Sequence, residues 1–596
     1  MKKRILNLFA VAAVALSAVS CEQFLTVEPI DKMSADTYFK NELELELYSN
    51  GLIQSYLPTA DGLGYSDYAT DLFCSKTSSD FYRPGIWNAD KQTGWEISSW
   101  RNIRRANTML DGMVRAKGNV SEDIYNHYQG VARFWRAYFY YAKVKNFGNV
   151  PWIDHALDIE DDILYAARDD REYVMHQVLE DLNFACENLS SDTKYDGVVN
   201  KWVALAFKAR VCLYEGTFRK YHSVNPSTNV AWNNKYEKSA DFLQECVKAA
   251  DELMKSGKFS LHSDYYGLFH HTNIASSPEA IWWSDYDGGE LNRMHELTWV
   301  VNSNSYDQQV SPTKITINHY LNTDGTAITH EGKININEEH KDRDARLAAC
   351  VHHPGYTYTK NNGETAIKNT NTTYTFNFYQ IVKFSIEKEE NYSKGKNDND
   401  YPILRYGEVL LNYAEAKAEL DGTLSQADWD LTIGALRKRA GVVSIYPTVA
   451  DEWLKKYYAI NNAVLLEIRR ERTVEMLAEG LRGDDLFRWK LGDRTVKRSL
   501  DPSSPSTGWL GLWVNKEDVN GMEYNKETYT FTSEEPMSGL GYKITGTADK
   551  NHSFSEGDYG FLIYNYQLEW KDRMYVRPIP QTALNVNPKL EQNYGW

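Results

Sequence analysis

Cysteine is scarce, with six in 596 residues. No two form a C-x-x-C pair, which argues against a zinc site, and the five beyond Cys21 are an odd number that no complete disulfide framework can use. Past the first twenty residues, no apolar run reaches the roughly 20 residues that a membrane-spanning helix needs. Neither G-x-x-x-x-G-K nor G-x-G-x-x-G occurs, so the phosphate-cradling loops of nucleotide enzymes are missing. Positive charge is in deficit: 66 Lys and Arg face 82 Asp and Glu, a net of −16. A surface this acidic argues against nucleic acid and against electrostatic docking on anionic lipid.

Aromatics are abundant by contrast, with 17 Trp, 41 Tyr and 21 Phe. A large core must absorb most of them. A minority on loops would offer ring faces to a sugar or another flat ligand.

The N-terminus has the layout of a secretory signal over residues 1–20. Lys2, Lys3 and Arg4 precede a mostly apolar Leu6–Val19, too short for a comfortable span. Ala18, Val19 and Ser20 then lead into Cys21, which resembles the lipobox of bacterial lipoproteins, with Ala18 where leucine is favoured. The expectation is that the Cys21 thiol is acylated and becomes the new N-terminus. Two or more acyl chains, at about 0.8 kcal/mol per buried methylene, anchor a protein stably. Losing Lys2, Lys3 and Arg4 deepens the net charge from −16 to −19.

Apolar spacing predicts helices over Ser34–Leu57, Trp95–Ala116, Ser121–Phe147, Arg171–Leu189, Asn200–Tyr214 and Trp232–Ser256. More follow over Ile403–Leu420, Asp428–Ala440 and Ala459–Glu479. Ser121 reads as an N-cap. "FWRAYFYYAKVKNFGNVPWI" is aromatic nearly all round, so its helix is expected between others. Ala204, Ala206 and Ala209, then Ala414, Ala416 and Ala418, suit close helix contacts of tetratricopeptide-like pairs. Cys186, Cys212 and Cys246 lie on apolar helix faces and read as core residues. Gly-, Asn-, Thr- and Tyr-rich stretches read as loops and short strands. The expected architecture is mainly α. One domain, 21–596, has a helical scaffold over about 34–256 and 403–490 and irregular insertions over about 57–94, 259–401 and 500–577.

Several segments, in order, resemble the SusD/RagB family of outer-membrane nutrient-uptake lipoproteins. They are "CEQFLTVEP", "ISSWRNIRRANTML", "RFWRAYFYYAKVKNFGNVPWI", "PEAIWW", "DYPILRYGEVLLNYAEAKAEL", "RRERTVEMLAEGLRGDDLFRWK" and "RPIPQTALNVNPKLEQNYGW". The resemblance implies a SusD-like fold with four tetratricopeptide-like pairs and an irregular ligand-facing part. It also implies a surface position over a SusC-like TonB-dependent transporter, as a lid that captures glycan or peptide.

No catalytic constellation is apparent. Glu467, Glu471, Glu475 and Glu479 lie at four-residue spacing, which would tempt a glycosidase reading. Arg469, Arg470, Arg472 and Arg482 are interleaved, with Asp484, Asp485 and Arg488 just beyond. Carboxylates beside guanidinium stay ionised, which spoils a general acid, so the ladder is expected to be a structural ion-pair network. "HKDRDAR" groups His340, Asp342 and Asp344, but a cation site would need more oxygen ligands, and Arg343 and Arg346 bring counter-charge. The pairs His270/His271 and His352/His353 lack ligand spacing. No metal or cofactor is expected.

The resemblance places the ligand site on loops before the second helix and in the middle irregular region. Candidate stacking residues there are Tyr82, Trp87, Trp95, Tyr286, Trp299 and Tyr306; Asp67, Arg83, Asn88 and Asp285 are candidates for bonding hydroxyls. Aromatic platforms flanked by planar polar groups suit a sugar's apolar face and polar edge. The expected function is a non-enzymatic, lipid-anchored glycan receptor at the cell outer membrane, serving that transporter. A peptide-capturing RagB-like receptor is the alternative, and a surface glycosidase the second alternative.

Overall fold

The computed structural model describes residues 38–596, apart from 77, 303–308, 329–331, 369–374, 498–507, 518–522, 526–529, 533–545, 548–551, 558 and 566. Cys21, the signal segment and Tyr306 lie outside the described residues.

The scaffold is an array of helices, each packed on the next: α1 (Glu42–Tyr56), α2 (Ile97–Gly112), α3 (Glu122–Phe147), α4 (Arg171–Asn188), α5 (Lys201–Tyr221) and α6 (Ser239–Lys255). Later in the chain, α7 (Tyr406–Asp421) packs on α5 and α6, α8 (Ala463–Glu475) on α7, and α9 (Arg482–Arg488) on α5. A last short helix, α10 (Gln581–Val586), sits near the C-terminus.

Local chemistry sets the boundaries. The Ser121 side chain accepts from the Ile124 amide, Asp170 from Glu172, Asn200 from Trp202 and Val203, and Asn462 from Leu465. Each satisfies donors that a helix start leaves open. Gly422, at φ 73°, closes α7 in the left-handed conformation that glycine adopts most readily.

Helices approach closely because the contact residues are small: Ala204, Ala206, Ala209, Ala414, Ala416 and Ala418 are all buried. Phe134, Trp135 and Tyr140 of α3 are buried between neighbours, as its all-round aromatic sequence predicts. Ion pairs bridge helices: Arg136 to Asp181 (2.7 Å) joins α3 to α4, Arg171 to Glu215 (2.6 Å) joins α4 to α5, and Arg210 to Glu408 (2.5 Å) joins α5 to α7. Cys74, Cys186, Cys212, Cys246 and Cys350 are buried.

One segment changes from helix to strand relative to its sequence reading. Ile403–Arg405 is not the first turn of α7. It ends a strand, β2 (Tyr401–Arg405), paired antiparallel with β1 (Ala280–Ser284). Every residue of both strands is buried, so their sequences are apolar runs without alternation, which periodicity cannot tell from a buried helix. Trp282 of β1 packs on Phe134 and Trp135, at 6.0 and 5.8 Å between ring centroids, and so seats the strand pair on α3. A three-stranded sheet carries β3 (Gly508–Val514), β4 (His552–Phe554) and β5 (Gly560–Asn565), with β5 central. Among the described residues, no helix is long and apolar enough to cross a membrane.

Candidate ligand surface

The predicted site residues fall into two groups and one outlier. The first group sits on the loop before α2. Asp80–Tyr82 forms a 3-10 turn capped by Ser79, and it turns Phe81 inward. Phe81 is the anchor: its ring lies 5.2 Å from Tyr82, 6.0 Å from Trp87 and 6.3 Å from Trp596, with the Arg577 guanidinium 4.2 Å over its face. Trp87 is half-buried, and its indole N–H donates to Gln92 at 3.0 Å. Arg83 is exposed and pairs with Asp80 at 3.0 Å. Asn88 is exposed, and its side-chain oxygen accepts from the Asp90 and Lys91 amides, which fixes the loop tip.

Trp95 is half-buried between Trp100 and Phe147, edge-on to both at 5.3 and 5.0 Å. Gly94 before it has φ 97°, a conformation few residues with a side chain adopt. The Gly94 carbonyl accepts from Lys143 Nζ at 2.6 Å, and that ammonium lies 4.5 Å over the Trp100 ring. Burial lowers the Lys143 pKa to about 8. Of the predicted residues that are described, only Trp95 lines the cleft of about 640 Å³ formed by the start of α2, the segment after α3 and α10.

The second group follows β1. Asp285 is exposed and accepts from the Trp283 indole at 2.6 Å. Trp299 is half-buried on the short helix Leu297–Asn302, with Lys394 Nζ 5.3 Å over its ring. Tyr286 is buried instead: its hydroxyl accepts from the Ala60 amide at 2.8 Å, and its ring packs under Arg293 at 4.6 Å. The Tyr286 amide donates to Asp400 at 2.8 Å, whose pKa burial raises to about 6. The face expected for ring stacking is thus used inside the fold.

Asp67 is the outlier. It has no exposed surface, and its carboxylate accepts from the Gly480 and Arg482 amides, both at 3.0 Å. Burial raises its pKa to about 7 despite those two bonds. Its expected role toward ligand hydroxyls gives way to tying the 57–94 insertion to the start of α9. The cause is a pairing some 413 residues distant in sequence, which no local pattern signals.

The glutamate ladder is an ion network: Glu467 pairs with the neighbouring Arg470 at 3.2 Å, and the other partners come from elsewhere in the chain. Glu467 and Glu471 pair with Arg437, Glu471 and Glu475 with Arg346, Glu475 with Arg405 and Arg439, and Glu479 with Arg405 and Lys383. Burial favours the neutral acid at Glu475, but Arg439, Arg405 and Arg346 outweigh it and hold the carboxyl well below the ordinary range. In "HKDRDAR", Arg346 pairs with Asp344 at 2.7 Å, while Arg343 donates to the Leu321, Glu339, Ile317 and Tyr320 carbonyls.

Comparison with known proteins agrees with this architecture. Residues 23–213 match a family model described as "Starch-binding associating with outer membrane". A SusD-like protein, P2, of Formosa agariphila is 25% identical over 525 residues, spanning 82% of this chain and 91% of its own. A SusD-like protein of Bacteroides ovatus is 21% identical over 81% of this chain and 82% of its own. Among solved structures, a SusD-like carbohydrate binding protein of Bacteroides fragilis superposes with a TM-score of 0.68 at 20% identity, covering 93% of this chain and all of its own. Surface glycan-binding protein A of Bacteroides fluxus superposes at 0.55 with 18% identity, over 94% of this chain and 100% of its own. The model described as "SusD family" matches residues 278–596, more than half of the chain, and the protein therefore belongs to the SusD family.

Proposed function

We propose that the protein is a lipid-anchored, non-catalytic glycan receptor of the outer membrane that passes captured oligosaccharide to a SusC-like TonB-dependent transporter. The observation that carries this reading is the loop before α2. It holds Trp87 and Trp95 half-exposed on rigid aromatic supports, with Arg83 and Asn88 exposed alongside. Rings held in place lose little freedom when a sugar stacks on them, and planar polar groups can bond its hydroxyls. The second loop offers Trp299 and Asp285 in the same style. The relatives that carry carbohydrate- or glycan-binding names support the ligand class. The non-catalytic part rests on the glutamate ladder, whose arginine partners keep it ionised and leave no general acid there. Cys21, at the end of the signal, supplies the anchor.

Affinity electrophoresis through gels loaded with a polysaccharide panel tests this reading. Retardation by at least one polysaccharide, without new reducing ends after incubation, is the expected result. New reducing ends would identify an enzyme. No retardation, with calorimetric heat from peptide pools, would assign the protein to peptide capture.

A further inference from the structure

The cleft of about 640 Å³ beside Trp95 has a chemistry unlike that of the polar loops. Its walls are Trp95, Trp100, Pro151, Leu164, Pro580 and Val586, and its size falls in the range of small-molecule sites. Three of its apolar side chains are strongly exposed: Ile97 at 89%, Leu164 at 44% and Val586 at 70%. The walls are fixed from behind. Asn107 donates to the Ile153 carbonyl at 2.9 Å, the Tyr140 hydroxyl accepts from the Ile153 amide at 2.6 Å, and Asn587 donates to the Ala166 carbonyl at 2.8 Å. The cleft is therefore a formed concavity on the scaffold.

Basic side chains outnumber acidic ones on its rim. Arg101 and Arg104 are exposed on α2 and line the cleft. Among the described residues, neither has a carboxylate partner, and Arg104 gives one N–H to the Leu157 carbonyl. The rim's acid, Glu96, folds back onto the Gly94 amide at 2.9 Å and does not cap α2. His155 is balanced by Asp154 at 2.8 Å and Asp161 at 3.7 Å. Two guanidinium groups without a carboxylate partner among the described residues, beside the uncapped start of a helix, make a positive edge on a protein of net charge −16.

We propose that this cleft binds an aromatic monocarboxylate, with its ring against Trp95 and Trp100 and its carboxylate on Arg101 and Arg104. Edge-to-face indoles in a cleft that Pro151 and Pro580 also line suit a flat ring, and the guanidinium fork matches a carboxylate in geometry. The site shares Trp95 with the loop of the glycan reading but uses neither Trp87 nor Trp299, and its charged contacts, Arg101 and Arg104, belong to the cleft alone.

The probes are 4-hydroxycinnamate and its neutral amide, titrated into the full mature chain by calorimetry and by tryptophan fluorescence. The acid is expected to bind about ten-fold or more tighter than the amide, the scale of one charge-assisted hydrogen bond. Arg101→Gln/Arg104→Gln should erase that difference while leaving amide binding, melting temperature and polysaccharide retardation unchanged. Arg101→Gln alone should give a partial loss. Leu164→Glu should weaken both probes. Equal binding of acid and amide, no saturable signal at millimolar probe, or an unaltered preference in the double variant would each overturn the proposal. So would a dimer in sedimentation that Leu164→Glu dissociates, because the cleft would then belong to a second copy of the chain.

Discussion

Arg405 Nη1 lies 2.6 Å from Glu475 Oε1, and both side chains are fully enclosed although 70 residues separate them in sequence. The same guanidinium also reaches Glu279 at 2.8 Å and Glu479 at 2.7 Å. Strand β2 is thereby clamped between β1 and α8. Three buried carboxylates depend on one cation, with help from Arg439, Arg346 and Lys383.

Arg405→Ala should therefore be severe. Removing one partner leaves buried charge uncompensated, which costs about 3–5 kcal/mol. A clear fall in melting temperature by calorimetry is the expected result. A melting temperature within error of the parent would show that the remaining arginines satisfy Glu475 and Glu479 without it.

Asp67 gives a signed pH dependence. Its folded pKa, about 7, stands above the ordinary aspartate value of 3.8 because burial disfavours the charge. The folded state therefore holds this proton more tightly than the unfolded state. The associated stability is fully present below about pH 4 and is lost as pH rises through about 7. Buried histidines act with the opposite sign: burial lowers the His295 pKa to about 4, so its contribution is lost as pH falls from about 6.5 toward 4. The informative quantity is the change in melting temperature from pH 5 to pH 8 in the parent, less the same change in Asp67→Asn. The parent should lose more. Identical pH profiles would place the Asp67 titration outside this window.

The legible parts of this protein are the local ones. Helix starts at Ser121 and Asn200 announce themselves because a capping side chain lies within three residues of the amides it satisfies. Ile403–Arg405 is misread because an all-buried strand and an all-buried helix share one pattern, and the partner strand β1 lies far upstream. Asp67 and Tyr286 look like polar and aromatic loop residues, and only their bonds to Gly480, Arg482 and Ala60 reveal an interior role. The glutamate ladder is the ion network its sequence suggests, and of the interleaved arginines it is Arg470 that pairs with it. Adjacent positions on a helix do not face each other, so apart from Arg470, three residues from Glu467, the neutralising arginines come from other elements.

The proposed lipidation rests on Cys21 alone. Cys21→Ala should abolish incorporation of a palmitate analogue and shift the protein from the membrane to the soluble fraction. The five remaining cysteines are buried, and burial raises the Cys186 thiol to about 12, so they offer no competing thiolate. Label persisting in the variant would refute the anchor.

The stacking residues can be separated from merely supporting ones by pairing two measurements. Trp87 and Trp299 are half-buried, so truncation removes some packing, though less than the roughly 3–5 kcal/mol of a fully buried tryptophan. Stacking on an aromatic face is worth about 1–3 kcal/mol per ring in the comparable nucleic-acid case, or roughly ten-fold in affinity. Trp87→Phe and Trp299→Phe keep a ring, whereas the alanine variants do not. Binding should therefore survive in the phenylalanine pair and fall about ten-fold or more in each alanine variant, with a modest drop in melting temperature. Trp87 has a further constraint: its indole N–H holds Gln92. Gln92→Ala should loosen the loop and weaken retention less than Trp87→Ala does. If the alanine variants melt much earlier yet retain polysaccharide, the two rings support the fold and the ligand meets other residues.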